Sequence, residues 1–365
     1  MRILVVNAGS SSLKLRVLGD RDDALATADL PPPGGRSDDV RLTAAIAALG
    51  PVDAVGHRIV HGGTAFSRPV LLDDAVEERL RALVDYAPLH QPKSLAALAA
   101  VKAVLPQVPA VACFDTAFHA TLPAAASTYA LPREWRLRWN LRRFGFHGLS
   151  HAYATRRAAE LLGKPVERLR LVTCHLGAGA SLAAVAQGRS VDTTMGFTPL
   201  DGLVMATRSG SVDPGLVLWL EEHVGMPPAE LAATLDNRAG LLGLAGTSDM
   251  RAVIEAAERG DPDASLALDV YVHRLRAGIA SMTASLGGLD ALVFTGGVGE
   301  RSPVVRRRAT DGLAYLGVGV DQGLNAAIVP DGDIGGRDDP VRTLVVAARE
   351  DVQIAHEVRE VLTAG

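Results

Sequence analysis

The chain's 365 residues, 48% hydrophobic and 21% charged, suffice for about two domains with separate cores and exclude a disordered or fibrous protein. Its 37 Lys and Arg against 41 Asp and Glu leave a net charge of -4, which excludes a general attraction to nucleic acid or anionic membranes. Two cysteines, Cys113 and Cys174, exclude a disulfide framework; both lie in apolar, strand-like runs and read as buried thiols.

In chain order, aliphatic runs at 3–6 and 13–17 flank a Gly/Ser turn and predict a hairpin. The apolar run after Arg2 is four residues, too short for a secretory signal, and no stretch reaches a membrane span; a cytoplasmic location is expected. A Pro/Gly-rich loop follows at 31–39, then a helix at 40–49. Buried strands are expected at 52–55, 110–114, 169–175 and 289–295, with helices at 73–86, 93–105, 150–163 and 214–223. From 263 to 286, Leu268, Val272, Leu275, Ile279, Met282 and Leu286 recur at steps of four and three, one apolar stripe of a long helix. Further helices are expected near Pro303 and from Asp351. The hairpin at 4–15 is echoed at 171–183, strand, small-residue turn, strand, which points to a duplicated α/β domain.

Several segments carry chemistry. The turn from Asn7 to Lys14 offers an amide, three hydroxyls and an ammonium to phosphate oxygens, although an ordinary polar hairpin has the same look. No Walker loop and no protein-kinase catalytic loop is present. Gly56-His57-Arg58-Ile59-Val60-His61-Gly62-Gly63 holds an Arg between two His, closed by Gly-Gly, where a carboxylate or phosphate would satisfy its planar fork and a structural ion pair is the alternative. Asp115 ends an apolar strand, a natural place for a magnesium-holding carboxylate or for a simple turn. His147-Gly-Leu-Ser-His151 lacks the acid of the His-Glu-x-x-His zinc motif, so His147 reads as a phosphate donor. The glycine-rich stretch 195–214 delivers a second isolated Arg, Arg208, and with Arg58 it could clamp an anionic substrate against a transferring phosphoryl group. Thr295-Gly-Gly-Val-Gly-Glu300 allows a base or ribose to approach the backbone.

Taken together, the segments at 4–14, 56–63, 114–119, 144–151, 195–214, 295–300 and 349–351 resemble the acetate kinases, members of the acetate and sugar kinase, heat-shock protein and actin superfamily. The segments occur in family order and cover nearly the whole chain. The resemblance implies an α/β fold of duplicated actin-like (ribonuclease H-like) domains with an active-site cleft between them. Residues 1–119 with 352–365 would form the first domain, and 120–351 the second, for nucleotide binding and dimerisation. It implies reversible phosphoryl transfer from ATP to acetate, giving acetyl phosphate and ADP, with Mg2+ or Mn2+, in a homodimer without nucleic-acid or membrane partners. Carried over residue by residue, Arg58, Asp115, His147 and Arg208 would be catalytic. Arg58 with Val60, Leu89, Phe146 and Pro199 would bind acetate. Asn7, Ser10, Ser12, Lys14, His175, Gly177, Gly179, Asp249, Arg251, Gly297 and Val298 would border phosphates and nucleoside, and Asn7, Asp115 and Glu350 would serve the metal.

Acetate is ionised at neutral pH and needs no base, so Asp115 reads as a metal-site carboxylate. What the reaction needs is positive charge to relieve repulsion between anions. Two departures from the family stand out. Ala178 occupies the place of a usual Asn in the second turn, removing a donor that would be worth about 3 kcal/mol if it acts only in the transition state. Arg349 replaces an Asn beside the final acids, where it would either pair with a phosphate or weaken magnesium binding. The chain is also shorter than typical relatives, mostly around 19–50, as a trimmed surface would be. Three alternatives remain: a propionate or butyrate kinase of the same fold, a catalytically impaired nucleotide-binding regulator, and a zinc hydrolase using the histidines. Val60 favours acetate, because a smaller residue would admit a longer acid.

Overall fold

The computed structural model describes residues 1–9, 12–31, 36–87 and 91–363, the backbone alone for 36–39. The chain forms two compact units, one of Met1–Ala120, Phe146–Tyr153 and Arg349–Gly365, the other of Thr121–Gly145 and Ala154–Ala348.

The first unit is built on a six-stranded sheet of β1 (Ile3–Ala8), β2 (Leu13–Leu18), β3 (Ala24–Leu30), β4 (Ala54–Ile59), β5 (Val70–Leu71) and β6 (Ala110–Phe114), in the order β3-β2-β1-β4-β6-β5. The first three strands form an antiparallel meander, β1, β4 and β6 run parallel, and β5 closes the edge antiparallel. Side chains alternate across the sheet. Leu4 and Val6 pack with Leu42, Ile46 and Val101 on one face, while Ile3 and Val5 pack with Ile354, Ala355 and Val358 of the helix Glu350–Thr363 on the other. With both faces covered, the central strands read as continuous apolar runs.

The second unit repeats the plan. Its strands are β7 (Arg170–Leu176), β8 (Ala180–Ala186), β9 (Arg189–Thr193), β10 (Ala291–Thr295), β11 (Gly332–Asp333) and β12 (Arg342–Val345), in the order β9-β8-β7-β10-β12-β11. Meander, parallel strands and antiparallel edge recur in the same sequence. The echo between the two hairpins therefore marks a duplication of whole sheets. The helix Pro262–Leu286 starts with Asp261 accepting the Ala264 N–H at 2.8 Å and ends at Gly287 in the left-handed conformation. It buries Leu268, Val272, Leu275, Ile279 and Met282 of the expected stripe against β8 and its neighbours, while Leu286 at its end is half-buried. Cys113 and Cys174 are buried free thiols, as expected.

Three boundaries differ from the sequence reading. The strand expected at 52–55 lies at Ala54–Ile59, because pairing with β1 on one side and β6 on the other keeps Gly56, His57 and Arg58 extended despite their weak strand preference. The loop expected through 39 gives way to helix already at Arg36. The helix expected at 73–86 ends at Arg81, and Val84–Tyr86 form a separate turn. Among the described residues, no helix is long and apolar enough to cross a membrane.

Candidate active site

In the first unit, Asn7, Arg58 and Asp115 come from the carboxyl ends of the neighbouring parallel strands β1, β4 and β6, the end at which open α/β sheets gather ligands. Arg58 donates to Asp115 through Nε at 3.0 Å and Nη2 at 2.6 Å, and through Nη1 to Asn7 Oδ1 at 3.0 Å. The Asn7 amide turns its other end to Glu350, donating to Oε2 at 3.0 Å, and Glu350 lies 3.8 Å from the Arg58 guanidinium. Glu350 opens the last helix, which reaches β4 because Gly56 has no side chain: a Cβ there would collide with Ile354 and Val358.

Asp115 is 2% exposed, and its burial lifts the carboxyl above the usual carboxylate range although Arg58 pulls the other way. Burial also works against the Arg58 charge, but Asp115 and Glu350 more than offset it and hold the guanidinium firmly protonated. Two carboxylates and one guanidinium leave an excess negative charge among oxygen donors, the donor type that a hard divalent cation takes. Among the described residues, no group of three or more His, Cys, Asp or Glu could hold a metal by itself. Asn7, Asp115 and Glu350 are the oxygen-bearing side chains here that could serve magnesium, which usually takes one or two protein carboxylates and fills its shell with phosphate and water.

His147 joins this cluster through backbone. Gly148 donates its N–H to the Asp115 carbonyl at 2.8 Å, an approach too close for any side chain, and His147 before it takes the left-handed conformation, φ 56°. Such a conformation in a non-glycine residue is strained and persists where the surroundings impose it. Val60 and Phe146 are buried, and the Phe146 ring meets His61 edge-on at 5.5 Å. His61 is fixed in turn by Gln91, whose side-chain oxygen accepts its N–H and whose amide donates to its carbonyl, both at 3.2 Å.

In the second unit, Arg208 lies 3.5 Å from Asp236 and donates to the Pro199 carbonyl at 3.2 Å. Burial lowers its pKa, and Asp236 only partly compensates, so this guanidinium gains from a further anion. A cavity of about 600 Å³ is lined by Gly177, Ala178, Asp249, Arg251, Gly297 and Val298, with Met250, Ile254 and Tyr271 supplying apolar surface. Asp249 caps the helix Met250–Glu258 and holds the Arg251 guanidinium at 2.8 Å. The volume suits a drug-sized ligand, and the mix of apolar walls and few polar groups suits a nucleoside.

The structure thus ties Asn7, Arg58, Asp115 and Glu350 together in one unit, with His147 next to Gly148, whose N–H bonds the Asp115 carbonyl, and gathers Gly177, Asp249, Arg251, Gly297 and Val298 in the other. Ser12 and Lys14 lie on the first hairpin, with Lys14 paired across from Asn7. His175 and Gly179 flank the second turn without lining the cavity, and Pro199 serves Arg208 through its carbonyl. Ser10 and Leu89 lie outside the described residues. Asp236, Tyr271 and Gln91 escaped the sequence reading: none sits in a short motif, and Tyr271 looks like one more apolar position of the long helix.

Arg349, read from sequence as a neighbour of phosphate or metal, turns to Asp351 at 2.9 Å and to the Asp22 carbonyl at 3.2 Å. Ala178 lines the cavity wall.

Comparison with known proteins agrees with this geometry. The family model of the acetokinase family matches residues 38–356. An acetate kinase of Microcystis aeruginosa is 45% identical over 357 residues, 96% of this chain and 89% of its own. One of Bacillus mycoides is 42% identical over 388 residues, 98% of each. Among solved structures, an acetate kinase of Porphyromonas gingivalis superposes with a TM-score of 0.91 at 33% identity over 99% of each chain. A propionate kinase of Francisella tularensis gives 0.91 at 34% identity over 98% of this chain and 99% of its own. With the repeated sheets, these likenesses make the fold that of duplicated actin-like domains. The chain belongs to the acetokinase family.

Proposed function

We propose that the chain catalyses reversible transfer of a phosphoryl group from ATP to acetate, with magnesium, yielding acetyl phosphate and ADP. The observation that supports this reading is the half-buried, charged Arg58, held by Asp115 and Asn7 with Glu350 beside it at the ends of parallel strands. Arg58 binds the acetate carboxylate and, with Arg208, draws charge from the migrating phosphoryl group. His147 donates to that group as it passes, and Val60 and Phe146 wall the methyl. Magnesium, held through Asn7, Asp115 and Glu350, would neutralise the phosphate oxygens. The cavity beside Gly177 and Gly297 takes the nucleoside, with Asp249 and Arg251 at its border. Ser12 and Lys14 offer donors to the phosphates, as do His175 and Gly179, and Pro199 stands with Arg208. Transfer without an enzyme-bound intermediate must take place away from water, which would otherwise hydrolyse ATP.

The helix Pro214–Val224 keeps Leu216, Leu218, Trp219 and Val224 exposed, which supports a homodimer through the second unit. Propionate is the second reading, favoured by the Francisella tularensis neighbour; one methylene is worth only about 1–3 kcal/mol of discrimination.

The test is hydroxamate formation from ATP, hydroxylamine and acetate, propionate or butyrate. Acetate is expected to have the highest kcat/KM. A propionate preference above about tenfold would overturn the acetate assignment, and nucleotide binding without product would identify an impaired regulator. Arg58→Ala and Arg208→Ala should each lower kcat/KM, whereas wild-type kinetics in either would remove that residue from the mechanism.

A further inference from the structure

We propose that His119 is a positioning residue that holds His147 in its left-handed conformation. The inference rests on the phosphoryl-donor role read for His147 above.

His119 lies in the one-turn helix Ala117–Thr121 that follows β6 and Asp115, and it is completely buried. Its Nε2 is 3.0 Å from the carbonyl oxygen of Phe146. A carbonyl accepts only, so Nε2 carries a proton directed at Phe146. Burial favours the neutral imidazole, drawing the His119 pKa down to about 4. The ring is held edge-on by Phe118 at 5.5 Å and His151 at 5.6 Å.

The Phe146 carbonyl belongs to the peptide that enters His147, and the Gly148 N–H, bound to the Asp115 carbonyl at 2.8 Å, belongs to the peptide that leaves it. Both peptides flanking the strained residue are therefore gripped by one short segment, Asp115 to His119. A residue in the left-handed region relaxes when either neighbouring peptide is free to rotate. The Gly148 bond is made by backbone and no substitution at 119 removes it. The Phe146 bond is the one that depends on a side chain. The same segment also accepts the Gly62 N–H at the Thr116 hydroxyl, 3.0 Å, so the turn after β6 sets the loop after Arg58 as well.

The test compares His119→Phe, which keeps a planar ring and loses the donor, with His119→Gln, which keeps an N–H. The readouts are kcat, KM for acetate and for ATP, thermal midpoint, and the His147 imidazole resonances by NMR. His119→Phe is expected to lower kcat about 10- to 100-fold, the scale of a displaced catalytic group. KM for ATP should stay within about twofold, and the His147 resonances should shift. His119→Gln should recover most of the lost kcat and the wild-type resonances. The proposal is overturned if His119→Phe keeps kcat within about twofold, or if both variants lose activity alike in step with their thermal midpoints. It is equally overturned if His147 resonances are unmoved in a folded His119→Phe protein. Should the wild-type protein make no acetyl phosphate, the functional reading fails instead, and the resonance comparison still decides whether His119 fixes His147.

Discussion

The ends of β4 and β6 in the first unit and of β10 and β12 in the second hold equivalent places in sheets of one topology, yet they carry opposite kinds of residue. β4 ends in His57-Arg58-Ile59 and β6 runs into Asp115; β10 runs into Gly296-Gly297-Val298, and β12 into Val346-Ala347-Ala348. The first pair concentrates charge and satisfies it internally, Arg58 against Asp115. The second is small, and a cavity of about 600 Å³ opens beside it. The difference teaches that the duplicated framework supplies only the location, converging strand ends, while side-chain size and charge give one copy a paired charge cluster and the other an open cavity.

The sharpest way to break this contrast is Arg58→Ala. A transition-state Arg in phosphoryl transfer is worth about a thousandfold or more, so kcat/KM for acetate should fall by at least that. Stability should fall too, by about 3–5 kcal/mol, because Asp115 is left buried without its cation. Adding Asp115→Asn to Arg58→Ala removes the orphaned charge and should restore much of the stability without restoring activity. Urea unfolding and steady-state kinetics on the single and double variants check this. If Arg58→Ala unfolds at the wild-type urea midpoint, the charge cluster is not held as described.

A second contrast is acid sensitivity. His57, His61 and His119 all belong to the first unit, are buried, and have pKa values drawn down from 6.5 to about 4 by desolvation. A folded-state pKa below the unfolded value means that the unfolded chain binds more protons between the two. The stabilisation is complete above about pH 6.5 and is lost as pH falls toward 4. Each His contributes up to about 3 kcal/mol. The expected outcome is that acidification from pH 7 to 5 releases the first unit before the second, seen by hydrogen exchange as early loss of protection in β4 and β6. Simultaneous loss in β4 and β10, with no pH dependence above 5, would contradict it.

How much of this was legible in sequence follows the same division. Arg58 and Asp115 stand out in sequence because a buried charge demands a partner, and their pairing with each other is the structural ion pair that the sequence also allows. The extent of β4 was hidden, since Gly56, His57 and Arg58 favour a strand only once β1 and β6 pair with them. Across the second unit, an apolar wall facing a ligand and one facing a core have the same periodicity, so Ile254 and Tyr271 could not be told from packing residues. Asp236, 28 positions beyond Arg208, is joined to it by folding alone.

The smallest expected effect concerns Arg349, the cation that the sequence sets beside Glu350. Its Nε and Nη2 are directed at the two oxygens of Asp351, 2.9 and 3.2 Å away, and Nη2 also reaches the Asp22 carbonyl at 3.2 Å. Burial opposes the charge, yet Asp351 with its neighbours keeps the pKa above the ordinary value, so the guanidinium is matched locally. A half-buried pair of this kind is worth about 1 kcal/mol or less. Arg349→Asn should therefore leave kcat and the magnesium concentration for half-maximal rate within about twofold of wild type and lower stability slightly. Had Arg349 faced the metal carboxylates, its removal would tighten magnesium binding through relief of like-charge repulsion. A severalfold fall in the magnesium requirement of Arg349→Asn would place its charge with Asp115 and Glu350 and extend the first unit's charge cluster by one cation.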